Sequence, residues 1–368
     1  MQKSESKPRG HIQLRILIIL LILAIPPMVV GHLLLASAAR QNYWEIIGTH
    51  LSQRADGVQT NLINYVERVS LQVANLTTLP LIQTVVRRSN QQRFTQQELQ
   101  RNIQEIEEQW QAMDPEKSRF LQNILENSAS QFLRDYNRAA ATFREILVTD
   151  VYGRLVAATN KSSDYFQADE QWWRNTYLEG SGSRFISDFK FDESANVYGI
   201  EVAEPIKDPS TQAVLGIMKV IVDRHEIFGL MESVQVGQNG AAVLMRSDGT
   251  VIFSPENTLR YEFTEEFELS SADLLSIEAL EIQTLPEKAR QVLLGLPQFR
   301  FKDKLPEVDW NVVIQVPYDE ISAPFRNINT WFFYIVFFMG AVVVILALIF
   351  SWLLSKPVIE ADPHLKRL

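Results

Sequence analysis

Two apolar runs stand near the ends of the chain, residues 16–39 and 331–354, and neither contains Asp, Glu, Lys or Arg. Each is long enough to cross a bilayer, because a ~30 Å hydrocarbon layer takes ~20 residues at helical rise. Pro26 and Pro27 fall inside the first run, where they predict a kink or local unwinding. From Trp44 to Leu76 apolar residues recur every three or four positions, which predicts one long amphipathic helix. Leu51, Val58 and Tyr65 form one series of sevens, and Ala55, Leu62, Val69 and Leu76 a second. That stripe fits a coiled-coil seam between two protomers and equally fits a helix laid against its own domain. A stalk helix is assigned to residues 40–90, with Pro80 ending the pattern, and a polar helix to 95–113. Another helix is expected over 115–136, with Asp114 as N-cap and Pro115 at the first helical position.

After residue 144 the period changes from helical to extended. Residues 145–159 read as strand, tight turn and strand around Gly153, and residues 242–254 repeat the design around Gly249. The two units also end alike, the first with an apolar strand at 213–223 and a short helix, the second with a strand at 310–316, Pro317 and a short helix. The expected fold class is α+β: a long N-terminal helix with two tandem antiparallel sheet domains stacked along it, 91–230 and 231–327, flanked by two transmembrane helices, 16–39 and 328–354.

Charge gives the orientation. Lys3, Lys7, Arg9 and Arg15 precede the first run, and Lys356, Lys366 and Arg367 follow the second, so residues 1–15 and 355–368 are expected in the cytoplasm and the centre outside it. A basic start also suits a secretory signal peptide, but this run is long for one and lacks a clear small-x-small exit. With 46% hydrophobic and 21% charged residues the chain is a folding one, and its net charge of −9 argues against nucleic acid as partner. There is no cysteine, hence no disulfide or thiolate chemistry. The five histidines, His11, His32, His50, His225 and His364, have no partner at metal-ligand spacing, and nucleophile-elbow and phosphate-loop motifs are missing, so neither an enzyme nor a bound cofactor or metal is expected.

The ordered set Thr149-Asp150-x-x-Gly153-x-x-Val156-Ala157, then Asp164-Tyr165, the pair Trp172-Trp173 and Val214-Leu215-Gly216 resembles the double Cache sensor family, in which two PAS-like domains follow a long helix. The resemblance covers residues 40–325. Leu354-Ser355-Lys356-Pro357-Val358 resembles the start of a HAMP linker. It implies a receptor of the inner membrane that binds a small molecule in its distal domain. The signal would pass through the second span to a cytoplasmic output such as a kinase, cyclase, phosphatase or chemotaxis module. A homodimer in contact with membrane lipid is expected; an anchored structural protein that has kept the fold without a ligand is the alternative.

Residues 163–177 concentrate aromatic and charged side chains, and Tyr165, Trp172, Trp173 and Tyr177 beside Asp169 and Glu170 offer the apolar walls and polar anchors of a ligand site. Asp188 and Asp192 are secondary candidates. The resemblance implies, for amino-acid-sensing members, an arginine five residues after the tyrosine to grip a carboxylate, and a distant aspartate for the ammonium. Here the arginine slot holds Glu170 and the aspartate slot Ile221, with Asp223 close by. A carboxylate among aromatic rings favours a cationic or neutral polar ligand, with cation–π attraction of ~0.5–2 kcal/mol. Arg174 or Arg184 pairing with Glu170 is the opposing possibility.

Overall fold

The computed structural model describes residues 9–92, 94–248, 250–255, 280–285, 290–297 and 299–360. The chain divides into two compact units, His50–Pro317 and the paired ends Met1–Thr49 with Tyr318–Leu368. The unit His50–Pro317 contains two six-stranded sheets and is α+β, as expected.

Helix α1 (Arg9–Thr77) runs through Pro26 and Pro27 without a break, so the expected unwinding does not occur. The two series of sevens are largely consumed within the unit: Leu51, Ala55, Val58, Leu62, Val69 and Leu76 are buried in the protein's own core and Tyr65 is half-buried. The stripe is therefore not a free coiled-coil seam. Along α1, Gln59 donates to the Phe299 carbonyl and accepts from the Val312 amide, while Ser70 donates to Glu204, so the two sheet domains do line up on one helix. The stalk stops at Thr77. Helix α2 (Pro80–Asn90) starts with Pro80 at its first position, turns by 63°, and buries Ile82 and Val86.

Helix α3 (Gln96–Trp110) opens on a capping box between Thr95 and Glu98. The helix expected over 115–136 is instead split into α4 (Arg119–Leu125), capped by Ser118, and α5 (Ser128–Ala140), capped by Asn127. The Asn127 amide explains the split. It bonds the Asn123 and Ile124 carbonyls at the end of α4 and the Val156 carbonyl, while its oxygen accepts the Ser130 amide. Asp114 caps nothing longer than a turn, accepting the Glu116 amide.

The distal sheet contains β1 (Glu145–Asp150), β2 (Leu155–Ala158), β3 (Phe185–Ile186), β4 (Lys190–Asp192), β5 (Val197–Lys207) and β6 (Val214–Asp223), in the order β2-β1-β6-β5-β3 with β4 beside β5. Helix α6 (Gln171–Tyr177) lies between β2 and β3, and α7 (Arg224–Glu232) follows β6. The proximal sheet repeats the plan with β7 (Gln235–Val236), β8 (Gly240–Arg246), β9 (Val251–Phe253), β10 (Leu280–Leu285), β11 (Arg290–Gly295) and β12 (Trp310–Pro317), in the order β10-β11-β12-β8-β7 with β9 beside β8. In both, the last strand pairs with the first strand of the hairpin, β6 with β1 and β12 with β8, so the repeat read from two hairpins extends to topology. Gly153 turns the first hairpin at φ +82°, with the backbone of Ala168 where a side chain would be. Gly249 lies outside the described residues.

Helix α8 (Tyr318–Glu360) begins directly after β12, so the short helix expected there is the start of a long one. Within it Thr330–Ile349 is by itself long and apolar enough to cross a membrane. Taken from Ile25, α1 meets that standard only together with α2 across the bend. Ile82 and Val86 of α2 are buried in the distal domain, so α2 is no part of a span.

Candidate functional site

Strand pairing sorts the distal sheet into two faces. Residues paired across antiparallel strands point the same way, so Glu145, Leu147 and Thr149 of β1 share a face with Ile217, Lys219 and Ile221 of β6 and with Glu201 and Ala203 of β5. The other face carries Ile146, Val148, Met218, Val220 and Val202, all buried, and it is the face met by Val86 of α2 at Gly216. Because both faces are covered, β1 is buried along its whole length.

A cavity of ≈ 310 Å³ opens on the first face. Its floor is Leu147, Glu201 and Lys219. Asp164, Gln167 and Glu170 come from the segment leading into α6, Trp172 from its first turn, and Lys190, Phe191, Asp192, Glu193 and Ser194 from β4 and its turn. Glu107 of α3 holds the loop in place by accepting the Tyr165 and Phe166 amides.

The candidate residues are thus divided. Glu170, Trp172 and Asp192 line the cavity. Asp169 stands exposed beside it, and its carboxylate oxygens approach those of Asp164 and Glu170 within 4.8 Å. Tyr165 points instead into a cluster with Trp110, Leu121 and Leu155, and burial pushes its hydroxyl pKa up. Trp173 donates to Thr149 Oγ1 at 3.0 Å and stacks on Tyr177 at 4.7 Å, which makes that pair the packing between α6 and the sheet. Asp188 lies outside the cavity, where its Oδ1 accepts Trp310 Nε1 at 2.8 Å and its Oδ2 meets Arg246 Nε at 2.5 Å.

Lys219, Glu201 and Glu145 were not among the candidates. Lys219 is a lone charge in the apolar run Ile217-Met218-Lys219-Val220-Ile221, while Glu201 lies within β5 and Glu145 opens β1, and burying a charge is costly unless it is paired. The Lys219 side chain is only 5% exposed, and its Nζ lies 3.2 Å from Asp192, 3.4 Å from Glu201 and 5.1 Å from the Trp172 ring centroid. Burial works against its charge, but Glu201, Asp192 and Glu145 outweigh it and the pKa rises. Lys190 pairs with the second oxygen of Glu201 at 2.7 Å. Both cavity lysines are therefore committed.

The opposite holds for acids. Five carboxylates line the cavity (Asp164, Glu170, Asp192, Glu193 and Glu201) against two lysines. Among the described residues no ion pair reaches Glu170, and Arg184 is taken by Glu67 at 2.9 Å and Glu307 at 2.8 Å. Burial, and then the nearby charges of Asp164 and Asp169, raise the pKa of Glu170. Burial likewise raises Asp164 and Glu145. Such an arrangement is relieved by an incoming positive charge.

No protein-family model and no curated relative matches the chain. Among solved structures it is similar to the ligand-binding domain of the Pseudomonas fluorescens chemoreceptor CtaA in complex with L-isoleucine, at 14% identity and TM-score 0.50, over 77% of this chain and 98% of that one. It is also similar to the ligand-binding domain of the Pseudomonas aeruginosa chemoreceptor PctB in complex with L-Arg, at 15% identity and TM-score 0.47, over 75% and 97%. The fold is that of chemoreceptor ligand-binding domains, the double Cache sensor fold.

Proposed function

We propose that the chain is a membrane-anchored receptor whose distal cavity takes a small cationic or neutral polar ligand, Glu170, Trp172 and Asp192 being its contacts among the residues first singled out. The observation that carries the reading is the charge balance of the cavity: five acids, two lysines, and both lysines already paired. A free amino acid would bring a carboxylate for which no uncommitted cation waits, although amino acids occupy the chemoreceptor domains of similar fold. Residues 16–39 and the helix containing Thr330–Ile349 anchor the chain in the inner membrane, with the sheets outside and both termini in the cytoplasm. A homodimer and a cytoplasmic kinase, cyclase, phosphatase or chemotaxis partner complete the system.

The segment Arg184 to Ser194 supplies a route for the signal. Its far end is the cavity wall, and its near end grips the residues around the start of β12: Arg184 holds Glu307, Asp188 holds Trp310, and Phe189 packs on Trp310 at 4.9 Å. Since β12 runs straight into α8, a shift of the wall reaches the exit helix through one strand. A ligand moves that equilibrium only by binding one arrangement better than the other. The test is isothermal titration of the full chain in nanodiscs with n-butylamine, choline, acetate and succinate. Heat from the amines and none from the carboxylates is expected; carboxylates binding while amines do not would overturn the reading.

A further inference from the structure

The most enclosed part of the distal cavity already contains an ammonium group, and it belongs to the protein. Two carboxylates from different strands, Asp192 at the end of β4 and Glu201 in β5, converge on Lys219 Nζ from the third, and the face of Trp172 closes the arrangement at 5.1 Å. Two anions and an aromatic face around one cation are the parts from which proteins build receptors for ammonium ligands. Surroundings of this kind are costly to assemble for a structural pair alone, because each group gives up its water. They are also held in place independently of Lys219. Asp192 Oδ1 accepts the Ala195 amide at 2.8 Å, the Glu201 amide is held by Ser187, Glu201 is paired with Lys190, and α6 carries Trp172.

We infer that Asp192, Glu201 and Trp172 form a ready-made ammonium cage filled by the side chain of Lys219, which makes Lys219 a specificity-determining residue. With the cage filled, an entering cation is left the acids on the solvent side, Asp164 and Glu170, so the wild-type cavity selects ligands by one positive charge held there. A second ammonium on the ligand finds no vacancy. Removing the lysine side chain beyond Cβ deletes a fragment with the shape and charge of n-propylammonium and opens the cage to that ion. The inference rests on the proposed cavity for its bearing on ligand choice, but the cage itself is tested with an ion that replaces a piece of the chain.

The experiment is thermal denaturation of the full chain in nanodiscs, wild type against Lys219→Ala, with n-propylammonium chloride, 1-propanol and sodium chloride at matched concentration. The variant is expected to melt below wild type, and n-propylammonium at ten times its dissociation constant to raise the variant's Tm by about 3 °C. Wild type should move by less than about one third of that, and 1-propanol should move neither. Adding Glu201→Gln to the variant should remove the response to the amine. If Lys219→Ala does not fold by itself, recovery on refolding with and without n-propylammonium takes the place of Tm, with recovery in the amine alone supporting the cage. Equal shifts in wild type and variant, equal shifts with 1-propanol, or no response of the variant in either format would overturn it. Wild-type titration with amines stays a separate result: it can fail, sinking the receptor reading, while the variant is still rescued.

Discussion

Replacing Asp188 with alanine should uncouple the two sheet domains at a cost that follows from the geometry. The carboxylate receives Trp310 Nε1 at 2.8 Å and Arg246 Nε at 2.5 Å, and the Trp310 side chain is fully buried. A buried donor left without an acceptor costs about 1–3 kcal/mol, and hydrogen bonds to charged groups stand at the upper end. The Asp188 side chain is 43% exposed, so water recovers part of the loss and the ion pair with Arg246 adds little. The expected destabilisation is therefore about 1–2 kcal/mol. Trp310→Phe removes the same donor while keeping most of the packing against Phe189 and Phe301, and in a double-mutant cycle the two changes should couple by about 1 kcal/mol. Urea denaturation of the full chain followed by tryptophan fluorescence measures both quantities. The transition should also lose steepness as the domains begin to unfold separately. Additive effects of the two substitutions, with an unchanged slope, would show that the contact does not join the domains and would remove the proposed route for the signal.

Three other changes probe the cavity and its frame. Glu170→Arg brings a guanidinium to the solvent side of the cavity, and amine binding measured by titration should weaken at least tenfold, while the melting temperature stays within a few degrees. Glu145 is buried, and its pKa is raised chiefly by that burial; such a group favours the folded state most when protonated, so its contribution declines as pH rises from its unfolded value through its folded one. Glu145→Gln keeps an oxygen for Asn160 and Ser194 and should flatten the stability profile from pH 4.5 upward, read from denaturation midpoints at pH 4.5 and 7; a parallel profile would contradict the assignment. Gly153→Ala places a Cβ 2.4 Å from that of Ala168 at φ +82°, so a loss of about 2 kcal/mol or more is expected in the same assay, and a loss under about 0.5 kcal/mol would mean the turn relaxes freely.

The fold was legible where periodicity was unambiguous. The spacing of three and four along 44–76 marked α1, and the strand–Gly153–strand pattern marked the first hairpin and, by repetition, the second domain. Side-chain capping hid the division at Asn127, because one amide that satisfies both helix ends leaves no trace in apolar spacing. Pro80 announced the end of the stalk but not the 63° turn that sends α2 onto the sheet. At the site, the aromatic segment 163–177 was found, yet which ring faces the cavity depends on the rotation of α6, about 100° from one residue to the next. Trp172 meets Lys219, whereas its neighbour Trp173 meets Thr149. Lys219 was overlooked because β6 is apolar on both sides and reads as a strand of pure core. Its signal was the isolated charge itself.

The second repeat carries no counterpart of that charge. Strand β12 occupies the place of β6 and β8 the place of β1, with the same antiparallel neighbours, and the interior of both is free of charge: Ala241 to Met245 and Asn311 to Val316 carry no acid or base. The proximal strands β8 and β12 are largely buried, though less completely than β1 and β6. The scaffold therefore closes without ionised groups in its central strands, and apolar residues there would ordinarily serve stability as well or better. Glu201 and Lys219 are then an addition to the distal copy on the face that opens into the cavity, whereas the face that meets α2 has a buried acid of its own, Asp150, paired with Arg154 and accepting from Ser89 of α2. The lysine-centred cluster is thus a feature of the distal cavity without a counterpart in the interior of β8 and β12.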